Sequence, residues 1–479
     1  MSDDITAPLA DAVDRFLAAG LAPWSTPGHK RNRALVGDDP LLMLDTPYTS
    51  GPDDLRTSLD LIGQAERMAA RAFGADWTRF SVHGSTHPNQ ALCMAVAHEG
   101  ERVIVARTSH KSVMAGLVLS GAEPIWVAPD VDESSGLALA VPPSQIEQAF
   151  ARAPDARAVL LVEPSYLGLV SDIESIAART HAHGAALVCD QAWGAHLGFH
   201  PGTPETALRR GADAIAMSTH KSITSFTQGA LLHARDTGRI DLEKLGAAFD
   251  ALLTTSPSAQ IYASIDRARA LMERRGHELV GRAIGVAARA RDLLSELPGV
   301  RVLDEHVREQ PSVGGWDPLK LIVDLGATGA DGIELDRDLR AMGIMLEGAD
   351  RTTLIPFLTI ADDDASVDHL VAALGAALAR RRGTATGRAV ASSAWRITAE
   401  TMMTPREAFF ARTERVPAAR AAGRVAAEIA APYPPGIPAL APGERITAEL
   451  LDELRVEVAK GARIVGASDP TLETLIVVA

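Results

Sequence analysis

The sequence predicts an α/β protein with a mainly parallel sheet, followed by a smaller α+β unit. Three observations predict it. Five short runs, RVIVA (102–106), PIWVA (124–128), AVLLV (158–162), AALVC (185–189) and AIAMS (214–218), are almost continuously apolar. That is the signature of parallel strands covered on both faces. Amphipathic segments such as Ile173–His183 and Thr206–Arg210 lie between them as helices. After a long, charged, Ala-rich stretch the pattern becomes strand, helix, strand.

In chain order, residues 1–20 read as one amphipathic helix with Leu9, Val13, Phe16 and Leu17 on one side. Pro23 to Pro52 is dense in Pro and Gly and is expected to hold no regular structure. The five strands follow from about Leu59. Asp266 to Leu297 is the long helix. VRVLD, LKLIVDL, a helix around Leu335–Met342 and TLIPFLTI then make the small unit, about 300–375. RRRGTATGRA (380–389) reads as a linker. The last ninety residues hold a helix-like run, PYPPGIPALAPGE (432–444), another helix and a terminal strand, LIVVA. The expected division is 1–58 as helix and arm, 59–265 as the major domain, 266–379 as linking helix and small domain, and 390–479 as a C-terminal domain.

Composition narrows the function. Lys plus Arg number 47 against 61 Asp plus Glu, a net charge of −14, which argues against a nucleic-acid-binding surface. Cys93 and Cys189 are the only cysteines, so neither a disulfide framework nor a CxxC knuckle exists. The acidic N-terminus is the wrong composition for a signal peptide, and no apolar run approaches the roughly 18 residues of a membrane span. A cytoplasmic protein without membrane or nucleic-acid partners is expected.

One constellation carries chemistry. AALVC ends in Asp190, and 31 residues later AIAMS leads into STHK, with Ser218, His220 and Lys221. That interval is about one βαβ unit, so Asp190 and Lys221 fall at neighbouring strand ends, the edge where open α/β sheets bind ligands. Pyridoxal phosphate (PLP) needs such parts: a lysine for its aldehyde, a carboxylate for its pyridinium nitrogen, donors for its phosphate. HGSTHPNQ (83–90) sets Gly84, Ser85 and Thr86 ahead of an apolar helix, a natural phosphate cup. Each part alone has a plainer reading as cap, turn or solvated loop. HAHG (181–184) lacks a third metal ligand nearby, and no HExxH, Walker loop or GxSxG is present.

Many motifs occur together in order: PGHK (27–30), FGA (73–75), GST (84–86), SHKS (109–112), PSYLG (164–168), D-x-A-W-G-A-H (190–196), STHKS (218–222), DPLK (317–320), EGAD (347–350), PREAF and YPPGIP-x-x-x-PGE. In these the chain resembles the bacterial ornithine/lysine/arginine decarboxylase family, from about residue 26 to the C-terminus. The resemblance implies the aspartate-aminotransferase-like (fold type I) PLP architecture with a distinctive C-terminal domain. Because PGHK comes so early, it implies the shorter form, without the receiver-like N-terminal domain that builds decamers in larger members. It makes Lys221 the cofactor lysine and Asp190 the pyridinium partner. Ser85, Thr86, Ser218 and His220 become phosphate ligands, with Gly84 in the same turn, and His110 stacks on the ring. Trp193 flanks the cofactor, and Glu347 receives the distal cation of a basic amino acid as a buried carboxylate. The implied activity is decarboxylation of arginine, then lysine, then ornithine, by a homodimer whose pocket lies between subunits, with YPPGIP and Glu428 closing it.

The chain departs from the family around the substrate mouth, at Thr46-Pro47, at Arg56 to Asp60, at Gln191 and Trp193, and at His83 and His87. Two alternatives follow. Another PLP reaction, transamination or oxidative deamination, would use Arg351 to grip the α-carboxylate. A non-catalytic PLP-fold regulatory protein would have no need of Lys221.

Overall fold

A computed structural model of the chain describes residues 5–48, 51–52, 60–132, 137–383, 394–397, 399–433, 436–459 and 462–479. Its centre is a seven-stranded sheet. In chain order the strands are β1 (Trp77–Ser81), β2 (Arg102–Ala106), β3 (Glu123–Val127), β4 (Ala158–Val162), β5 (Ala186–Asp190), β6 (Ala214–Ser218) and β7 (Ala230–Ala234). Their spatial order is β1-β7-β6-β5-β4-β2-β3. The five predicted runs are the five parallel neighbours β3-β2-β4-β5-β6. β7 is antiparallel to both β6 and β1. β1 and β7 went unread because WTRFS is half polar and ALLHA carries His233, which β7 buries against Thr78 at 2.7 Å.

Helix α1 (Pro8–Ala18) docks because Asp266, buried in the long helix, accepts the free N–H groups of Leu9 and Ala10 at 3.0 and 3.3 Å. That long helix runs Ala259–Ser295, starting seven residues before the predicted point. Two other expectations fail. Residues 207–210 form a turn instead of the expected helix, because Gln191 Oε1 takes the Ala207 N–H and Thr206 Oγ1 that of Arg209. The Pro/Gly-rich arm contains two short helices, Arg33–Val36 and Pro40–Leu44, each started by a side-chain cap from Asn32 or Asp39.

The small unit is a four-stranded antiparallel sheet of β8 (Arg301–Val302), β9 (Val323–Asp324), β10 (Gly348–Ala349) and β11 (Thr353–Ile355), in the order β10-β11-β9-β8. It has its own apolar cluster, with helices Gly332–Ala341 and Asp364–Arg381 packed on it. A third cluster fills the C-terminal segment, from Ala394 to Val477. There the expected helix-like run is one six-residue helix, Pro405–Phe410, started by a Thr404–Glu407 capping box, with strand and turn around it. The linker lies outside the described residues from 384 onward.

The PGE motif has a physical reason. Arg107, just past β2, is 6 % exposed and pairs both guanidinium nitrogens with Glu444 at 2.6 and 2.8 Å, while Pro438 and Ala439 carbonyls take its other N–H groups. The clamp ties the C-terminal segment to the major sheet. Glu444→Ala strands a buried guanidinium and is expected to cost about 3–5 kcal/mol, read as a lower urea midpoint. An unchanged midpoint would show that the apolar contacts alone hold the segment.

Candidate active site

The site is built at the C-terminal edge of β5 and β6. Asp190 ends β5, paired in register with Val162 and Ala216 on its neighbours. β6 runs into a single turn, Thr219–Ser222, carrying Lys221. The prediction that 31 residues bring Asp190 and Lys221 together holds: each carboxylate or amine feels the other's charge. Asp190 is 4 % exposed, and burial drives its proton affinity up, opposed by His110 and Lys221. Burial likewise lowers Lys221, opposed by Asp190 and Glu347. Both shifts disfavour charge; a cation beside Asp190 would restore the charge of that carboxylate and hold the lysine neutral.

Asn89 joins these groups and was missed in sequence. Its amide donates to Asp190 Oδ2 at 2.7 Å and to Ser112 Oγ at 3.0 Å. The Ser112 hydroxyl and N–H point to His110 Nδ1, at 2.9 and 3.3 Å. Nδ1 is therefore an acceptor, so the proton of the neutral ring sits on Nε2. Crowding by protein lowers the basicity of His110, which holds it in that form. The signal was present as the Asn of HGSTHPNQ and the last Ser of SHKS.

The expected phosphate cup is present as geometry. Ser218 Oγ donates to Ser85 Oγ at 2.9 Å, at the head of the helix Thr86–Val96. Gly84, at φ +64°, turns the chain into it, and Thr86 is exposed there. His220 Nδ1 is 2.9 Å from the Gly229 carbonyl, which can only accept, so Nδ1 carries a proton. Burial keeps that ring neutral; an anion at Nε2 would require its second proton.

One wall is aromatic. The Trp193 indole meets Tyr166 and Phe357 edge-on, at 5.3 and 5.2 Å. Lys221 Nζ lies 4.0 Å from its centroid. Tyr166 hydrogen-bonds Tyr433, the first residue of YPPGIP. That motif therefore reaches the site through Tyr433; Pro434 and Pro435 lie outside the described residues. A Cβ at Gly348 would come within 2.8 Å of the Tyr166 hydroxyl and 3.3 Å of that of Tyr433, so a larger residue there would push on this pair.

Four expectations change. Glu347, expected buried, is exposed on this chain, although its charge still reaches Lys221 and Tyr166. Glu428 is a brace, accepting the N–H groups of Ser468 and Ile476 at 2.7 Å each. Arg351 pairs with Asp331 at 3.5 Å. His87 is a core histidine, bonded to Ser81 and the Phe249 carbonyl and held by burial to a pKa of about 4. His181 pairs with Asp213 and His183 stacks on Phe150, and no group of metal-ligating side chains occurs among the described residues. Arg56 to Leu59 lie outside them.

The donor set fits PLP: paired hydroxyls at a helix N-terminus for phosphate, a buried carboxylate for a ring cation, a lysine of lowered basicity for an aldehyde. Fold and site together define a fold type I PLP-dependent enzyme. The model of the Orn/Lys/Arg decarboxylase major domain matches residues 7–313, and that of the Orn/Lys/Arg decarboxylase C-terminal domain matches 388–460. The chain belongs to that family. It is 32% identical to an arginine decarboxylase of Bacillus subtilis, covering 98% of this chain and 97% of that one. It is equally identical to one of Halalkalibacterium halodurans, over 100% and 99%. The lysine decarboxylase LdcA of Pseudomonas aeruginosa is 25% identical over 92% of this chain and 74% of its own. Among solved structures, the Francisella novicida lysine decarboxylase LdcF superposes with a TM-score of 0.81 at 20% identity, over 99% and 79% of the two chains. A Sphingomonas wittichii serine palmitoyltransferase does so at 0.56 and 15%, over 79% and 84%. No helix among the described residues is long and apolar enough to cross a membrane.

Proposed function

We propose that this chain decarboxylates a basic L-amino acid to its amine and CO2, with arginine preferred, then lysine, then ornithine. The observation that carries the reading is the Lys221–Asp190–Asn89 arrangement at one sheet edge, in a chain whose full-length relatives bear the name arginine decarboxylase. When bound, PLP supplies an electron sink for the pair left on Cα as CO2 departs. Asp190 holds a proton at the ring nitrogen, and Asn89 holds Asp190. Ser85, Thr86, Ser218 and His220 anchor the phosphate, with Gly84 shaping the turn. His110 and Trp193 bound the ring, and Lys221 returns a proton to Cα. Glu347 steers the distal cation. A reading as transaminase loses its carboxylate grip, since Arg351 is engaged by Asp331.

The reading includes a cytoplasmic homodimer and the division at 58, 265 and 379; separate apolar clusters support the last boundary, whereas one continuous cluster runs across the first two. Trp24, Leu35 and Leu41, 77–96 % exposed on one chain, suit a subunit contact. Light scattering finding an active monomer would sink the dimer. CO2 release across arginine, lysine, ornithine and neutral amino acids tests the activity; preference for a neutral or acidic substrate would overturn it. Glu347→Gln is expected to raise KM for basic substrates about tenfold, the order of one hydrogen bond to a charged group, with kcat little changed. An unaltered KM would remove Glu347 from substrate recognition.

A further inference from the structure

Lys320 is the buried cation that the reading above leaves without work. Its side chain is 2 % exposed. It stands opposite Phe357 in a bridge that continues the β9–β11 register, Val323 facing Leu354. Its stem crosses Gly168 of PSYLG, where a Cβ would come within 2.4 Å of Lys320 Cγ. Its Nζ lies 4.2 Å from the Phe357 centroid and 4.0 Å from that of Trp193.

No hydrogen bond or ion pair to this ammonium occurs among the described residues; nearby Asp317 meets His196 at 3.1 Å and the Leu319 N–H through Oδ1, and acts on Lys320 through its charge, without direct contact. A buried ammonium with no directly paired anion is costly, and an apolar side chain would fill the same aromatic slot without that cost. The arrangement makes sense if an anion arrives during the reaction cycle.

Lys221 shows where. Its amine lies 4.0 Å from the same indole centroid, so the two nitrogens are at most twice that distance apart. An amino acid reacting at Lys221 brings its α-nitrogen there, with its carboxylate carbon about 2.5 Å away by standard bond lengths. We infer that Lys320 receives the substrate's α-carboxylate, fixing its direction between Trp193 and Phe357 while the distal cation is held at the other end. The inference rests on the reading that a basic amino acid reacts at Lys221.

The charged groups facing Lys320 are Asp317 with its partner His196, Lys221, Glu347, and Arg291, whose guanidinium donates to the Lys320 carbonyl at 3.0 Å. Burial, first, and then Lys221 lower its pKa to about 7, against Asp317 and Glu347. Below that pH Lys320 is charged in the empty site. Above it, binding a carboxylate must take up a proton, so affinity for the acid falls by up to about tenfold per pH unit. The decarboxylated amine has no carboxylate and escapes this dependence.

The test compares L-arginine with its decarboxylated amine on the holoenzyme. Each dissociation constant is read from the change in cofactor absorbance, by stopped flow for the acid. Lys320→Met is expected to weaken the acid at least about 30-fold, the scale for unpairing half of a buried ion pair, and the amine less than about threefold. Lys320→Arg is expected to recover most of the loss. Equal weakening of both ligands, or of neither, would overturn the role. Should Lys320→Met not fold, the wild-type acid-to-amine ratio between about pH 6 and 9 decides, because a flat ratio excludes Lys320. If wild-type protein responds to none of arginine, lysine and ornithine, the proposed function itself falls; if it responds and the ratios do not move, only this inference does.

Discussion

Lys221→Ala protein is expected to stay folded, fail to develop the cofactor's visible absorbance and lose turnover by at least about 10³-fold. The loss combines the attachment point for the aldehyde with the group that returns a proton to Cα, and removing a positioned acid–base group alone costs about 10²–10⁴-fold. Folding should survive, because Lys221 sits half-buried on a single turn between a buried strand and a loop. Its amine makes no ion pair within 4 Å among the described residues; its partner is the face of Trp193. Titrating purified protein with PLP, with and without borohydride, reads the first effect, and CO2 release reads the second. A variant that keeps both would move the cofactor lysine elsewhere, and Lys320, on the same indole, would be the first place to look.

Asp190→Asn should separate rate from binding. The substitution keeps the size of the side chain and loses its charge, and the cofactor's phosphate contacts at Ser85 and Ser218 are untouched. The expected result is a fall in kcat of about 10²–10³-fold, the scale of one preorganised electrostatic contact, with nearly full cofactor content. Asn89 complicates the new amide: it already donates to Asp190 Oδ2, so the variant must turn its own oxygen toward Asn89. Asn89→Ala should therefore lower kcat in the same direction by less, having loosened the carboxylate without removing it. Equal loss of cofactor content and rate in Asp190→Asn would make the residue structural.

The parallel strands and the cofactor pair were legible in the sequence for one physical reason. A strand covered on both faces has to be apolar throughout, and the polar residue that ends it stands out. Asp190 after AALVC and Lys221 after AIAMS are such residues, and the edge of the sheet is where both chains of contact must open to a ligand. β1 and β7 escaped because sheet position, not composition, buries Thr78 and His233 against each other.

The substrate side of the site belongs to the tertiary structure. Tyr166, Trp193, Lys320, Phe357 and Tyr433 come from segments spread over more than half the chain and meet only once these segments pack, with the small sheet's register setting Lys320 against Phe357. DPLK in sequence is an acid, a turn residue and a base. Folding turns Asp317 Oδ1 to His196 and sets Lys320 between two rings, with no direct ion pair among the described residues. Glu347 shows the converse, a carboxylate whose place in EGAD suggested burial and which a single chain leaves open to solvent. Local pattern determines which residues end a buried strand; which charges lose their partners is decided only when distant segments pack, because burial is a property of the assembled neighbourhood.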